Sequence, residues 1–305
     1  MAHTLRYRLK HHGAKFVLKK TAVSWGISIA RLVLIVGICY IILYPFIEKF
    51  LLSFMSPGDL LDPTVSLIPR TFSLEFYRRA LEVLEIPATL PHSIKLSLIS
   101  GVLQTIFCTV VAYGFARFKT KFSSILFGFV IFTLLVPTEL ILSPLYLQFR
   151  FFLGGLNLLN TEVPFVILSV TCQGIKNGLY IYMLRQFFRG MPIELEEAAY
   201  MDGYGVFRTF LFIMLPNARS MMVTIFLFSF AWQWTDIIYT DSFYSNAQTL
   251  ANAVIQNVEV SLQDMVYADT TRKTAMLLVI LPLLIIYILC QKAFIQSVER
   301  SGLVG

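Results

Sequence analysis

Three glutamates, two alanines and a glycine between residues 194 and 203 form the run whose residue types and spacing best suit a task. Glu194, Glu196 and Glu197 lead into Ala198 and Ala199, and four residues further on, past Asp202, comes Gly203. Another nine residues separate Gly203 from Ile213, with Leu215 and Pro216 close behind. Pro192 suits a first helical turn, where no N–H is needed, and the acids stand where the helix dipole favours negative charge. A short helix is therefore expected to start near residue 192. Ala198 and Ala199 are strong helix formers with little bulk, and Gly203 can take the left-handed geometry that ends a helix or lets another backbone approach. The chemistry on offer is docking, with carboxylates for a basic partner and a bare backbone beside them. Phe207, Phe210, Leu211 and Met214 recur at helical spacing and predict a second helix with an apolar stripe, interrupted at Pro216. An ordinary interfacial amphipathic helix would explain the charges and the stripe, but not the whole spacing.

The elements that must position this run lie in a membrane. Of the 305 residues, 57% are hydrophobic, above the roughly 45 to 50% usual for soluble domains. Charge-poor windows near 30–54, 94–116, 123–145, 163–184, 220–240 and 274–294 each approach the ~20 residues that cross a hydrocarbon core. The expected fold is an all-α integral membrane protein with six transmembrane helices.

Basic residues orient it. Arg6, Arg8, Lys10, Lys15, Lys19, Lys20 and Arg31 precede or open the first window. Arg117, Lys119 and Lys121 follow the second, and Arg185, Arg189, Arg208 and Arg219 flank the acidic run. These sides are expected to be cytoplasmic, as are both termini. The net charge of +7 then reflects topology, and no nucleic-acid-binding motif accompanies it. The basic start reads as a retained anchor rather than a cleavable signal, because its apolar part is too long and no small-residue cleavage pattern follows.

Catalytic signatures are missing. The sequence holds no Walker A loop, nucleophile elbow or HExxH motif. Cys39, Cys108, Cys172 and Cys290 fall in four different windows and read as small buried hydrophobes, while His3, His11, His12 and His92 have no metal-ligand spacing.

The spaced run resembles the EAA loop of ABC importer permeases. Further similarity lies in Ala112-Tyr113-Gly114-Phe115-Ala116-Arg117-Phe118, in Leu184-Arg185-Gln186-Phe187-Phe188, in Trp232-Gln233-Trp234 with Asp236, and in the ending from Gln291-Lys292 to Gly305. These segments are similar to carbohydrate permeases of the maltose-transporter inner-membrane type. The basic residues mark a cytoplasmic segment over 1–28, and the resemblance implies a transmembrane domain over 29–305, with a cytoplasmic EAA coupling helix in a loop over 186–219. It implies a non-enzymatic half-channel for a sugar or oligosaccharide in a bacterial or archaeal plasma membrane. Its partners would be a homologous second permease, two copies of an ABC ATPase, an extracellular solute-binding protein and membrane lipid, with no nucleic acid. ATP and Mg would be used by the partner ATPase, with no cofactor on this chain. Glu197, Ala198, Ala199, Asp202, Gly203, Ile213, Leu215 and Pro216 are the implied coupling residues.

Sugars are held by hydrogen-bonding side chains and aromatic faces, so Gln173, Asn177, Gln233, Trp234, Asp236 and Tyr239 are the candidates for a translocation path. Polar groups in membrane helices also link helices, and aromatic residues also mark interfaces. Lys176, Glu139 and Asp236 at or near membrane depth call for a partner or a water-filled cavity. A permease for peptide, polyamine or phosphate and a homo-oligomeric channel are the alternatives.

Overall fold

The computed structural model describes residues 14–118, 120–258 and 265–302. The basic residues Arg6, Arg8 and Lys10, Lys119 and the last three residues of the tail lie outside the described residues. Every regular element among the described residues is helical, and the chain divides into two units, Met1–Glu75 and Phe76–Gly305.

The first unit holds α1, Ala14–Leu52, a 39-residue helix with Pro45 inside it. At ~1.5 Å per residue it is longer than a ~30 Å hydrocarbon core, and it is apolar all round between Leu32 and Ile47, as a lipid-embedded helix must be. A short helix, α2 (Pro57–Leu61), follows and is capped by Ser56. The loop after it is built on Asp59, whose carboxylate accepts the backbone N–H groups of Arg70 and Thr71 at 2.9 and 2.8 Å. An ion pair between Arg70 and Asp62 at 3.1 Å closes the same loop.

The second unit is organised around α4. After α3 (Glu75–Leu84) comes α4, Ile86–Arg117, whose start carries Pro87 and whose Pro91 is tolerated one turn later. Next are α5 (Ser123–Phe132), α6 (Thr138–Arg150), α7 (Val163–Val170) and α8 (Asn177–Gly190). The acidic run is α9, Glu194–Met201, followed by α10 (Val206–Thr209), a π turn over Phe210–Met214 and α11 (Leu215–Asn217). The chain ends in α12 (Arg219–Trp234), α13 (Ile238–Phe243), α14 (Leu250–Gln256) and α15 (Met265–Gly302).

Small and polar residues let α4 serve as the hub. Ser93, Ser97, Ser100, Gly101, Gln104, Thr105, Cys108 and Ala112 are all buried, so neighbouring backbones come close. A Cβ at Gly101 would stand 3.0 Å from the Phe226 ring on α12. Polar bonds stitch the same contact: Ser100 Oγ donates to Gln233 Oε1 at 2.9 Å, and Ser229 Oγ to Gln104 Oε1 at 2.6 Å. Such bonds contribute on average about 0.6 kcal/mol each in membrane proteins. On the other side of α12, Trp234 Nε1 donates to Val279 O at 3.0 Å and Thr224 meets Ser297 at 2.6 Å, fastening α15.

Three described helices, Ser24–Leu52, Ile86–Arg117 and Met265–Ser297, are long and apolar enough to cross a membrane. A fourth crossing is available if Val206–Asn217 and Arg219–Trp234, bent by 75°, act together. The windows expected at 123–145 and 163–184 are not continuous helices. Pro137 separates α5 from α6, and positive φ at Cys172 and Lys176 separates α7 from α8. Hydropathy averages over such breaks, so they leave no mark in a composition window. Of the cysteines, Cys108 is buried, Cys172 and Cys290 are half-buried, and Cys39 is exposed rather than buried as expected; Cys108 and Cys172 stand 3.9 Å apart.

Candidate functional site

The acidic helix begins at Glu194, with Ile193 as its cap, two residues later than its proline suggests. Its end is fixed by glycine. Gly203 has φ +82, its N–H donates to Tyr200 O at 3.0 Å, and the Tyr204 N–H donates to Ala199 O at 2.9 Å. This pair of bonds is the Schellman arrangement, which satisfies the last carbonyls of a helix. A Cβ at Gly203 would touch nothing within 4 Å, so its cost is backbone strain, about 1 to 2 kcal/mol.

The two faces of α9 differ in kind. Glu194, Leu195, Glu197, Ala198, Tyr200 and Met201 are exposed, with Met201 at 88%. Glu196 and Ala199 turn inward. The Glu196 carboxylate lies 3.1 Å from Arg117 Nε and accepts from the Tyr113 hydroxyl at 3.1 Å. Arg117 Nη2 donates to Met191 O at 3.0 Å, so one guanidinium holds both the helix and its entry. Tyr113 is itself wedged between Phe188 and Phe210, at centroid distances of 5.4 and 4.7 Å. Nearby, Arg185 Nε donates to Phe115 O and its guanidinium stacks on Phe127 at 3.9 Å. The outcome is an acidic knob whose base is clamped to the end of α4.

Beyond the knob the chain departs from the expected regular helix. Over Phe210–Met214 it takes a π turn, in which the Leu215 N–H reaches back five residues to Phe210 O. Pro216, which has no N–H to place, follows inside α11 rather than ending the helix. The four apolar residues do not share one face. Phe210 and Met214 are buried, but Phe207 is 72% exposed and Leu211 also faces outward. Asp202, Gly203 and Pro216 are exposed, and Ile213 and Leu215 are half-buried.

The polar candidates divide into two groups. Gln233 is buried and bonded to Ser100, with its Nε2 left unpaired. Asn177, the first residue of α8, is 2% exposed and neither atom of its amide has a partner. Gln173 is exposed in the break before it. Gln233 lies within the α4–α12 contact, and Asn177 abuts α4, its carbonyl 4.0 Å from Cys108 Sγ. Trp234, Asp236 and Tyr239 are engaged otherwise: Trp234 is wholly buried and bonded to Val279 O, and Tyr239 packs edge-on to Phe243. Asp236 accepts from the backbone N–H groups of Tyr239 and Thr240 and from the Thr240 hydroxyl, capping α13.

Sequence reasoning did not single out Tyr113, Arg117 or Glu196 as a cluster. The available signal was the Ala112–Phe118 run, which contains two of the three. It also missed the pairing of Lys176 with Trp232, where Nζ lies 5.1 Å from the ring centroid.

Against known proteins, residues 104–300 match the family model described as the binding-protein-dependent transport system inner membrane component. A probable ABC transporter permease protein of Pyrococcus horikoshii is 27% identical over 93% of this chain and 94% of its own length. The lactose transport system permease protein of Rhizobium radiobacter is 24% identical over 71% of this chain and 76% of its own. An sn-glycerol-3-phosphate transport system permease protein of Brucella abortus is 25% identical over 90% and 96%. Among solved structures, a bacterial ABC transporter involved in the import of the acidic polysaccharide alginate superposes with a TM-score of 0.66. It is 22% identical, with 88% of this chain and 96% of that chain covered, a likeness of fold.

Proposed function

The chain belongs to the family of binding-protein-dependent transport system inner membrane components, and we propose that it moves a sugar or oligosaccharide inward as one half of a translocation pathway. It is a multi-pass permease subunit of the cell membrane that makes and breaks no bonds, working with an ATPase and a solute-binding protein. The sugar reading draws support from relatives named for lactose and diacetylchitobiose uptake. A homologous second permease and two copies of the ATPase complete the proposed assembly, and ATP with Mg is used on the ATPase.

In this reading the chain crosses the membrane six times and both termini are cytoplasmic, with residues 1–28 as a basic segment ahead of the transport domain. The pairs α5–α6 and α7–α8 each make one crossing as two half-helices. Non-helical backbone at that depth is tolerable only where protein or water covers it.

The observation that carries the coupling role is the exposed acidic face of α9 set on a buried clamp. Glu197, Ala198, Asp202 and Gly203 meet the ATPase, while Ala199, Ile213, Leu215 and Pro216 keep the knob in place. When ATP closes the ATPase dimer, the two knobs are drawn together. Through Glu196, Arg117 and Tyr113 that displacement reaches α4, and from α4 the helices packed on it, so the cavity turns outward. Hydrolysis resets it. Gln173, Asn177 and Gln233 line the path near the α7–α8 break; Trp234, Asp236 and Tyr239 shape its wall from behind.

The test is reconstitution of the whole transporter in liposomes with its binding protein and a panel of labelled sugars. Uptake with solute-stimulated ATP hydrolysis is expected for at least one sugar. Import confined to peptides or polyamines, with every sugar rejected, would overturn the sugar reading.

A further inference from the structure

Lys176 carries a positive charge between two half-helices and has no counter-ion among the described residues. It is the last residue of the α7–α8 break, has φ +61 and is exposed. Among the described residues no carboxylate forms an ion pair with it; its neighbour is the Trp232 ring, 45% exposed, at 5.1 Å. Asp236, the acid closest in sequence to Trp232, is occupied in capping α13. An ammonium at membrane depth is costly, so such a group marks a pathway or an absent partner.

The surroundings favour an anion. Lys176 stands at the amino end of the 14-residue α8, where the helix dipole adds positive potential. The buried Asn177 amide beside it has both polar atoms unpaired. Gln104 also points into the break: a Cβ on Gly174 would lie 2.5 Å from its Nε2 and 3.4 Å from Asn177 Nδ2. Cation, unpaired amide and exposed aromatic ring thus converge on one gap in the backbone. A neutral sugar leaves the ammonium uncompensated, and a polyamine is repelled by it.

Resting on the sugar-import reading, we propose that the substrate passing this break is an anionic carbohydrate, its carboxylate or phosphate pairing with Lys176 as its ring packs at Trp232. Asn177 and Gln173 supply hydrogen bonds to its hydroxyls. The substrate's charge supplies the counter-ion that the described residues do not.

The experiment uses the complete transporter, with both permeases, the ATPase and the binding protein, in liposomes. Three labelled probes of similar size are compared: a disaccharide ending in glucuronate, its neutral glucose counterpart, and the phosphate monoester of the latter. In the parental complex at least one anionic probe should enter faster than the neutral one. In Lys176→Gln the anionic-to-neutral uptake ratio should fall about tenfold or more, the scale of a lost charge contact, and Lys176→Arg should retain most of it. Which anionic probe responds separates a uronic acid from a phosphorylated sugar. A neutral preference in the parental complex, or an unchanged ratio in Lys176→Gln, would overturn the proposal while leaving sugar import standing. Failure of Lys176→Gln to co-purify with the second permease, when Lys176→Arg still does, would assign the lysine to a partner carboxylate and also overturn it. Rejection of all three probes alongside import of a non-sugar solute would bring down the underlying reading itself.

Discussion

Arg117 closes the end of α4 with its side chain 12% exposed, and the Glu196 side chain that meets it is 7% exposed. Removing one member of such a buried pair leaves the other charge desolvated, at a cost of about 3 to 5 kcal/mol, whereas removing both can be close to neutral. Arg117→Met should therefore lower the thermal midpoint of the purified complex more than the double variant with Glu196→Gln does. Midpoints that add from the single variants would show that the two side chains act independently. This pairing was not legible in the sequence. Arg117 and Glu196 are far apart in the chain, and an acid on an acidic helix looks like its neighbours until a fold turns it inward. The reverse holds for Gly203, whose offset from Ala199 announces a helix end before any geometry is seen.

At the scale of elements, two glycines with the same local sequence meaning have opposite surroundings. Gly178, in the first turn of α8, lies against the end of α5: a Cβ there would sit 2.6 Å from Thr133 Oγ1 and 2.8 Å from the Val130 carbonyl. A backbone carbonyl cannot swing aside as a side chain can. Gly178→Ala should destabilise by about 1 to 3 kcal/mol, the range for overpacking. Gly114, inside α4, has nothing within 4 Å of an added Cβ, and alanine there gains up to about 1 kcal/mol of helix propensity. Thermal midpoints of the two alanine variants should move in opposite directions, and equal losses would contradict the packing. Helix existence was readable here from apolar runs, and so was the position of the acidic helix. Its neighbours were read too regularly. The π turn at Phe210–Met214 and the positive φ at Cys172 and Lys176 depend on what packs alongside, so residue types alone do not announce them.

At the scale of the molecule, apolar content placed the chain in a membrane, and the spaced motif placed it in its family. The proposed topology rests on charge asymmetry. Single cysteines on a cysteine-free background should be labelled from outside in residues 60 to 85, but at 120, 121 and 200 to 206 only after permeabilisation. Labelling of Gly203→Cys in intact cells would reverse the arrangement. The proposed coupling joins all three scales, because it would need the exposed carboxylate, the glycine-ended helix and the partner ATPase at once. The most direct measurement compares solute-stimulated ATP hydrolysis and uptake in reconstituted complexes carrying Glu197→Ala or Gly203→Val. With the second permease still bound, both activities are predicted to fall together. Variants that assemble with the ATPase and transport at the parental rate would contradict the docking role of α9.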